Sequence, residues 1–290
     1  MRRLALFDLD FTLLPHDTMF LFANFVIKRR PWRLWYLAVF APFVAMRLLG
    51  LIDEVPLKRA FFSFLWRMSD GEVDRLARQF VQDEVVPRMY PEMMALLKVE
   101  RGRGHALVLN TASPGFFAQY IAEALGFDHC FATPLEIPGR VPLLPRFTGP
   151  NNKGRQKIAA MRAAGILTAT APRKAAVSAG QAPTMRPVMP RAEAQTAAAG
   201  TPGFGVALDP LVALAATDST ADLPMLEIAE RGLLIHPDQS KFERKTGRII
   251  DGFSHWTIQE PARPYSGRGG EYRAAIRQML GLYPSVQNVD

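Results

Sequence analysis

The sequence predicts an α/β fold, a doubly wound parallel sheet with an inserted helical cap, on three observations. Three short apolar runs, "RLALF" at 3–7, "HALVLNT" at 105–111 and "LVALAATD" at 211–218, read as buried strands that end in polar or acidic residues. Stretches with helical spacing lie between them. Strand alternating with helix requires a parallel sheet, and in such sheets the functional residues gather at the strand carboxyl ends.

Taken in order, the first strand runs straight into "DLD" at 8–10. Residues 14–90 are helical in pattern, with "SDGE" at 69–72 as a capping box, and form a cap inserted after that strand. Within the cap, "PWRLWYLAVFAPFVAMRLLGLI" at 31–52 is strongly apolar. Its uncharged run, Leu34 to Met46, is thirteen residues, short of the ~20 that cross a bilayer, and Pro42 is expected to interrupt its helix. A single crossing would also part Asp8 from the later strand ends. A re-entrant or interfacial hairpin is the expectation, with Trp32, Trp35 and Tyr36 at headgroup level and Lys28, Arg29, Arg30 and Arg33 facing anionic lipid. The core, residues 1–13 and 91–260, continues with helices opening at Pro91 and Pro114, a third ending at Gly165 and a fourth ending at Gly232. Residues 168–206, rich in Ala, Pro and Gly, are expected to form a loop with no fixed fold. The tail, 261–290, is expected to hold a helix near 270–281 and no chemistry.

Composition narrows the class. The chain has 290 residues, 49% of them hydrophobic, enough for a full core. Its single cysteine, Cys130, excludes an internal disulfide framework and fits a reducing compartment. The opening "MRRLALFDLD" is broken by acids too early for a signal peptide, so the expected location is cytoplasmic, peripheral or re-entrant at the membrane face. Net charge is +8, and between residues 28 and 67 eight basic residues face only Asp53 and Glu54. That excess borders an apolar hairpin and carries no nucleic-acid motif, which points to an anionic membrane surface and away from nucleic acid.

The chemistry lies in the acids. Asp8 and Asp10 stand two apart on an extended chain and share one side. Asp218 and Asp222 follow a second apolar strand, so up to four carboxylates meet at one sheet edge and call for a cation and a lysine. Oxygen ligands favour Mg²⁺ over zinc, and the five histidines show no metal-ligand spacing. Lys153 and Lys157, four apart near a helix start, are both candidates for the lysine. Thr111 offers a hydroxyl and backbone donors for a phosphate.

These motifs, DxDxT at Asp8, Asp10 and Thr12, then Thr111, the 153–157 lysine segment and DSxxD at Asp218 and Asp222, resemble haloacid dehalogenase superfamily phosphatases. The cap position resembles the phosphoserine-phosphatase branch, where Asp17 matches an acid facing the substrate; it also reads as a helix N-cap. The resemblance implies Asp8 as nucleophile, Asp10 as general acid and base, and Mg²⁺ on Asp8, Asp10 and Asp218. It also implies a phosphate cradle of Thr12, Thr111 and a lysine, and Asp222 orienting that lysine. Phe11 stands where the family usually has glycine, either lining the cleft or packing on the cap. A looser likeness, through "FDLD", "RRP" and the apolar helix, is to C-type phosphatidylglycerophosphate phosphatases. The resemblance therefore implies a phosphate-ester substrate, either a lipid phosphate or a soluble ester such as phosphoserine. A membrane-docking pseudophosphatase is the non-enzymatic alternative.

Overall fold

The computed structural model describes residues 2–137, 139–167, 211–247, 249–250 and 253–286; the 168–206 expectation falls outside them. Six strands form one parallel sheet: β1 (Leu4–Phe7), β2 (Ala106–Pro114), β3 (His129–Thr133), β4 (Val212–Thr217), β5 (Arg231–Ile235) and β6 (Trp256–Gln259), in the order 3-2-1-4-5-6. β1 is central because all four of its residues are apolar and buried. Ala5 and Phe7 enter one core, Leu4 and Leu6 the other. The first core also takes helices α5 (Pro91–Gly102) and α6 (Gly115–Leu125), through Met93, Leu97, Phe117 and Ile121. The second takes α7 (Arg155–Ala163), α8 (Leu223–Glu227) and α9 (Gln239–Thr246), through Ile158, Met161, Met225, Leu226 and Phe242. Chain order reverses between β1 and β4, and such a switch point is where ligands bind in open α/β sheets.

Two element expectations are corrected. The helix read as ending at Gly232 stops at Glu227, and Gly232 lies in β5, where a Cβ would overlap the Trp256 indole on β6. Thr111 is not the end of its strand, since β2 continues to Pro114 through an irregular register.

The cap comprises α1 (Thr18–Arg29), α2 (Tyr36–Leu48), α3 (Glu54–Phe61) and α4 (Asp70–Phe80), with short 3₁₀ turns between. Ser69 caps α4, its Oγ accepting from the Glu72 N–H at 3.2 Å. Phe22, Phe25, Phe61, Phe64 and Phe80 pack edge to face in the cap's interior. Contrary to expectation, α2 runs through Pro42, which sits exposed on its outer face. No helix among the described residues is long and apolar enough to cross a membrane.

The expected headgroup belt is also corrected. Tyr36 is buried and donates its hydroxyl to the Met279 carbonyl at 3.0 Å, while Trp35 packs edge-on against Trp66. Arg33 is buried, its guanidinium on the carbonyls of Phe64 and Trp66. Arg29 pairs with Asp83 at 3.1 Å, Arg30 with Glu72, and Lys28 donates to Ser285. Of the expected belt Trp32 is exposed, and Leu48, Leu49 and Leu51, at the tip between α2 and α3, are exposed as well.

The tail is a strap rather than an appendage. Helix α10 (Gly267–Met279) packs along α1; the Asn24 side chain exchanges two hydrogen bonds with the Tyr283 backbone, and Tyr265 donates to the Pro15 carbonyl at 2.5 Å. Gly281, at φ +70, lies so close to Ile27 that a Cβ would clash with its methyl at 2.5 Å.

Candidate active site

Asp8 and Asp218 leave the ends of the adjacent strands β1 and β4, and Asp222 caps the short α8. Lys157, in the first turn of α7, reaches both: its Nζ is 2.8 Å from Asp8 Oδ1 and 2.5 Å from Asp222 Oδ2. The lysine is buried, and α7 can approach because Gly154 takes φ +60, where a Cβ would stand 3.0 Å from the Ala221 carbonyl. The Gly154 N–H donates to the other Asp222 oxygen at 3.0 Å. Lys153 points elsewhere, to Glu54 of the cap at 3.4 Å; the two lysine candidates are separated by this geometry.

Asp8 has two inequivalent oxygens. Oδ1 accepts from the Leu9 N–H at 2.9 Å and from Lys157, while among the described residues Oδ2 is met only by a 3.5 Å contact from Thr217. Burial pushes the Asp8 carboxyl well above the usual range, reinforced by Asp222 and Asp218 and opposed by Lys157. Asp218 is pushed up to about 7 by burial and by the charge of Asp222. Burial alone would lower Lys157, but Asp8 and Asp222 outweigh it and hold the ammonium protonated.

Asp10 is held from both sides. The Thr18 N–H and hydroxyl donate to Oδ1 at 2.8 and 2.6 Å, and the Ser113 hydroxyl donates to Oδ2 at 2.6 Å. The Thr12 hydroxyl accepts from the Asp218 N–H at 2.9 Å and lies 3.4 Å from the Asp218 carboxylate. Buried Thr111 accepts from the Ser113 N–H at 3.0 Å, bending the end of β2 toward Asp10. Asn152 ties this turn to α7, its Nδ2 donating to Asn110, Thr111 and Phe131 at 2.8 to 3.0 Å. Asp17 is the N-cap of α1, accepting from Met19 at 2.8 Å, and also lines a pocket of about 350 Å³ with Phe20 and Met279. Burial, then the charge of Asp10, push its carboxyl up to about 7.

Phe11 has φ +57, a left-handed conformation that costs a bulky side chain of order 1 kcal/mol or more and explains why glycine suits this position. Its ring lines both the Asp17 pocket and a cleft of about 700 Å³ that reaches Asp218. Thr18, Ser113, Asn152 and the tail residue Tyr265 were not singled out from the sequence. Ser113 alone carried a signal, a hydroxyl two residues beyond Thr111 on the same side of an extended strand.

Fold and site together define a class: an open parallel α/β core, a carboxylate cluster and lysine at its switch point, and a helical cap inserted after the first strand. The chain belongs to the haloacid dehalogenase-like hydrolases, whose family model matches residues 5–227. In fold it is similar to a protein of unknown function from Bordetella pertussis Tohama I, with TM-score 0.58 and 21% identity, covering 89% of this chain and 98% of that one. It is also similar to a probable phosphoserine phosphatase from Vibrio cholerae in unliganded form, with TM-score 0.50 and 15% identity. There the match covers 97% of this chain and 65% of that one. No curated protein matches the sequence.

Proposed function

We propose that the protein hydrolyses a phosphomonoester through an aspartyl phosphate on Asp8, with Asp10 as general acid and base. The observation that carries this is the asymmetry of Asp8, one oxygen anchored by Leu9 and Lys157 and the other left for attack. Asp8 Oδ2 bonds to phosphorus as the ester oxygen departs and takes a proton from Asp10. A water that gives its proton to Asp10 then cleaves the acyl phosphate and releases inorganic phosphate. Lys157 offsets the charge of the phosphoryl oxygens, and Asp222 holds the lysine at that position.

The residues present fit Mg²⁺. Among the described residues no three ligating side chains converge, and the all-oxygen set of Asp8, Asp218 and the Asp10 carbonyl suits an ion that keeps water and substrate oxygens in its shell. The raised carboxyls of Asp8 and Asp218 fit as well, since both ionise together more readily beside a cation. When bound, Mg²⁺ supplies positive charge against the phosphoryl oxygens and keeps both carboxylates ionised.

The substrate we favour is a lipid phosphate, such as phosphatidylglycerophosphate, met at the cytoplasmic membrane face. Support comes from the α2–α3 tip, where Leu48, Leu49 and Leu51 are 83%, 73% and 69% exposed beside Arg47. Glu54, just beyond the tip, pairs with Lys153 ahead of α7, the helix that carries Lys157. A soluble ester such as phosphoserine is the second reading, favoured by the internal pairing of Arg29 and Arg30. Phosphate release from lipid and water-soluble esters, with Mg²⁺ or EDTA, tests both. Release that EDTA does not lower contradicts the metal assignment, and a preference for soluble esters without flotation on anionic vesicles contradicts the lipid reading.

A further inference from the structure

One space beside the site is used neither by the fold nor by the proposed phosphoryl transfer. The pocket of about 350 Å³ that Asp17 lines lies between α1 and the C-terminal strap. Its apolar lining comes from Phe11, from Phe20 of α1 and from Ala275, Ile276 and Met279 of α10. α10 presents alanine there, so the space that a longer side chain would fill stays open. Ile276 is 56% exposed, which leaves the pocket open to solvent.

Chain geometry ties this pocket to the chemistry. Phe11 directly follows Asp10, and Asp17 directly precedes Thr18, whose N–H and hydroxyl hold Asp10 Oδ1 at 2.8 and 2.6 Å. Two lining residues therefore flank the carboxyl that protonates the leaving oxygen, and the atoms beyond that oxygen extend past them. Phe11, Tyr265 and Tyr272 also line the cleft of about 700 Å³ that reaches Asp218, so the two spaces adjoin. Phe11 keeps its place between them at φ +57, and such strain in a bulky residue gathers at ligand sites.

We propose that the pocket between α1 and α10 binds an alkyl segment on the leaving group of the substrate, with Phe11, Phe20 and Ala275 setting the chain length that fits. This rests on the phosphomonoesterase reading of the Asp8 site. An apolar lining with few polar groups is the usual form of a small-ligand pocket. A second anion is disfavoured there, since the Glu271 carboxylate stands on the same lining. Each methylene moved from water onto that lining is expected to tighten binding about threefold. At about 30 Å³ for a water-sized group, the pocket holds on the order of ten of them, so the gain stops at a medium chain.

The test uses the full chain with Mg²⁺ and ethyl, butyl, hexyl and octyl phosphate, each below its micelle-forming concentration. In the parent, kcat/KM is expected to rise along the series, octyl phosphate exceeding ethyl phosphate by about thirtyfold or more, chiefly through KM. Ala275→Phe fills the pocket and is expected to bring the octyl-to-ethyl ratio within about threefold of unity, and Ala275→Val to lower it less. The ratio is taken within one preparation, so a partly folded variant does not alter it. Octyl phosphate offered in phosphatidylcholine vesicles beside the monomer shows whether the chain is drawn from a membrane or from solution, and Ala275→Phe is expected to lower turnover of either. A parent ratio near unity overturns the alkyl pocket without any variant having to fold, and so does a preference undiminished in Ala275→Phe. Release from none of the four esters contradicts the phosphomonoesterase reading itself, whereas equal release from all four contradicts only the pocket.

Discussion

At the sheet edge, Asp8 and Asp222 share the ammonium of Lys157 and Asp218 feels the charges of both Asp222 and Lys157, whereas in the cap Arg29, Arg30 and Arg88 each have an acid of their own, Asp83, Glu72 and Glu84. The first arrangement leaves buried carboxyls pushed toward neutrality; the second neutralises its charges locally and holds helices together. The difference teaches that charge left unbalanced marks the chemistry, while a charge excess counted along the sequence need not become a free surface.

The largest effect that would break this comparison is on Asp8. Asp8→Asn keeps the shape of the side chain but removes the nucleophile, and kcat on any ester is expected to fall by roughly 10⁴-fold, measured as phosphate release. An active Asp8→Asn would make the carboxylate crowding a matter of structure alone.

Next is Lys157→Met. It leaves Asp8 and Asp222 buried with no counter-charge, so kcat/KM is expected to fall by about 10²–10³-fold and stability by about 3–5 kcal/mol in chemical denaturation. Lys153→Met, which removes only a half-exposed pair with Glu54, is expected to change stability by less than about 1 kcal/mol.

A smaller effect sharpens the cap side. Replacing Leu48, Leu49 and Leu51 together by Ser is expected to weaken binding to anionic vesicles by about tenfold or more. Replacing Arg29 and Arg30 by Gln is expected to lower the melting temperature by a few degrees while leaving flotation nearly unchanged. The reverse pattern would restore the basic cluster as the lipid-facing surface.

The smallest effect concerns Asp17. Its folded carboxyl titrates near 7 against an ordinary 3.8, so between these values the folded chain holds a proton that the unfolded chain has lost. Stability from this group is present below about pH 4 and is lost as pH rises through 7. Asp17→Asn keeps an N-cap acceptor, so the variant is expected to match the parent near pH 4 and to exceed it at pH 8 by of order 1 kcal/mol, read from thermal melts across pH. Equal pH profiles would show that Asp17 is already ionised at little cost.

How much of this was legible in the sequence depends on the range over which each feature is determined. The strands β1, β2 and β4 and the placing of Asp8, Asp10, Asp218 and Asp222 after β1 and β4 follow from apolar runs ending in polar or acidic residues, a local pattern that the sheet then brings to one edge. Residues that meet only through the fold were hidden: Ser113 is 103 residues from Asp10, and Asn152 is 41 from Thr111. The basic run at 28–33 looked free because Glu72 and Asp83, which bind Arg30 and Arg29, lie beyond any local window. That Lys157 and not Lys153 lies against Asp8 depends on the approach of α7 that Gly154 allows at φ +60, which the sequence pattern does not show. The tail helix is weakly patterned and its anchors lie far off in sequence, since Tyr265 and Tyr283 hold it across 250 residues of chain or more.

The central claim is that Asp8 carries the phosphoryl group. The direct measurement is acid quenching of the full chain during turnover of a phosphomonoester with Mg²⁺, followed by mass spectrometry of the peptide containing Asp8. A phosphate adduct on Asp8 is expected to appear within one turnover, decay as substrate is exhausted and be absent from Asp8→Asn. Sustained phosphate release with no adduct, undiminished in Asp8→Asn, would contradict it.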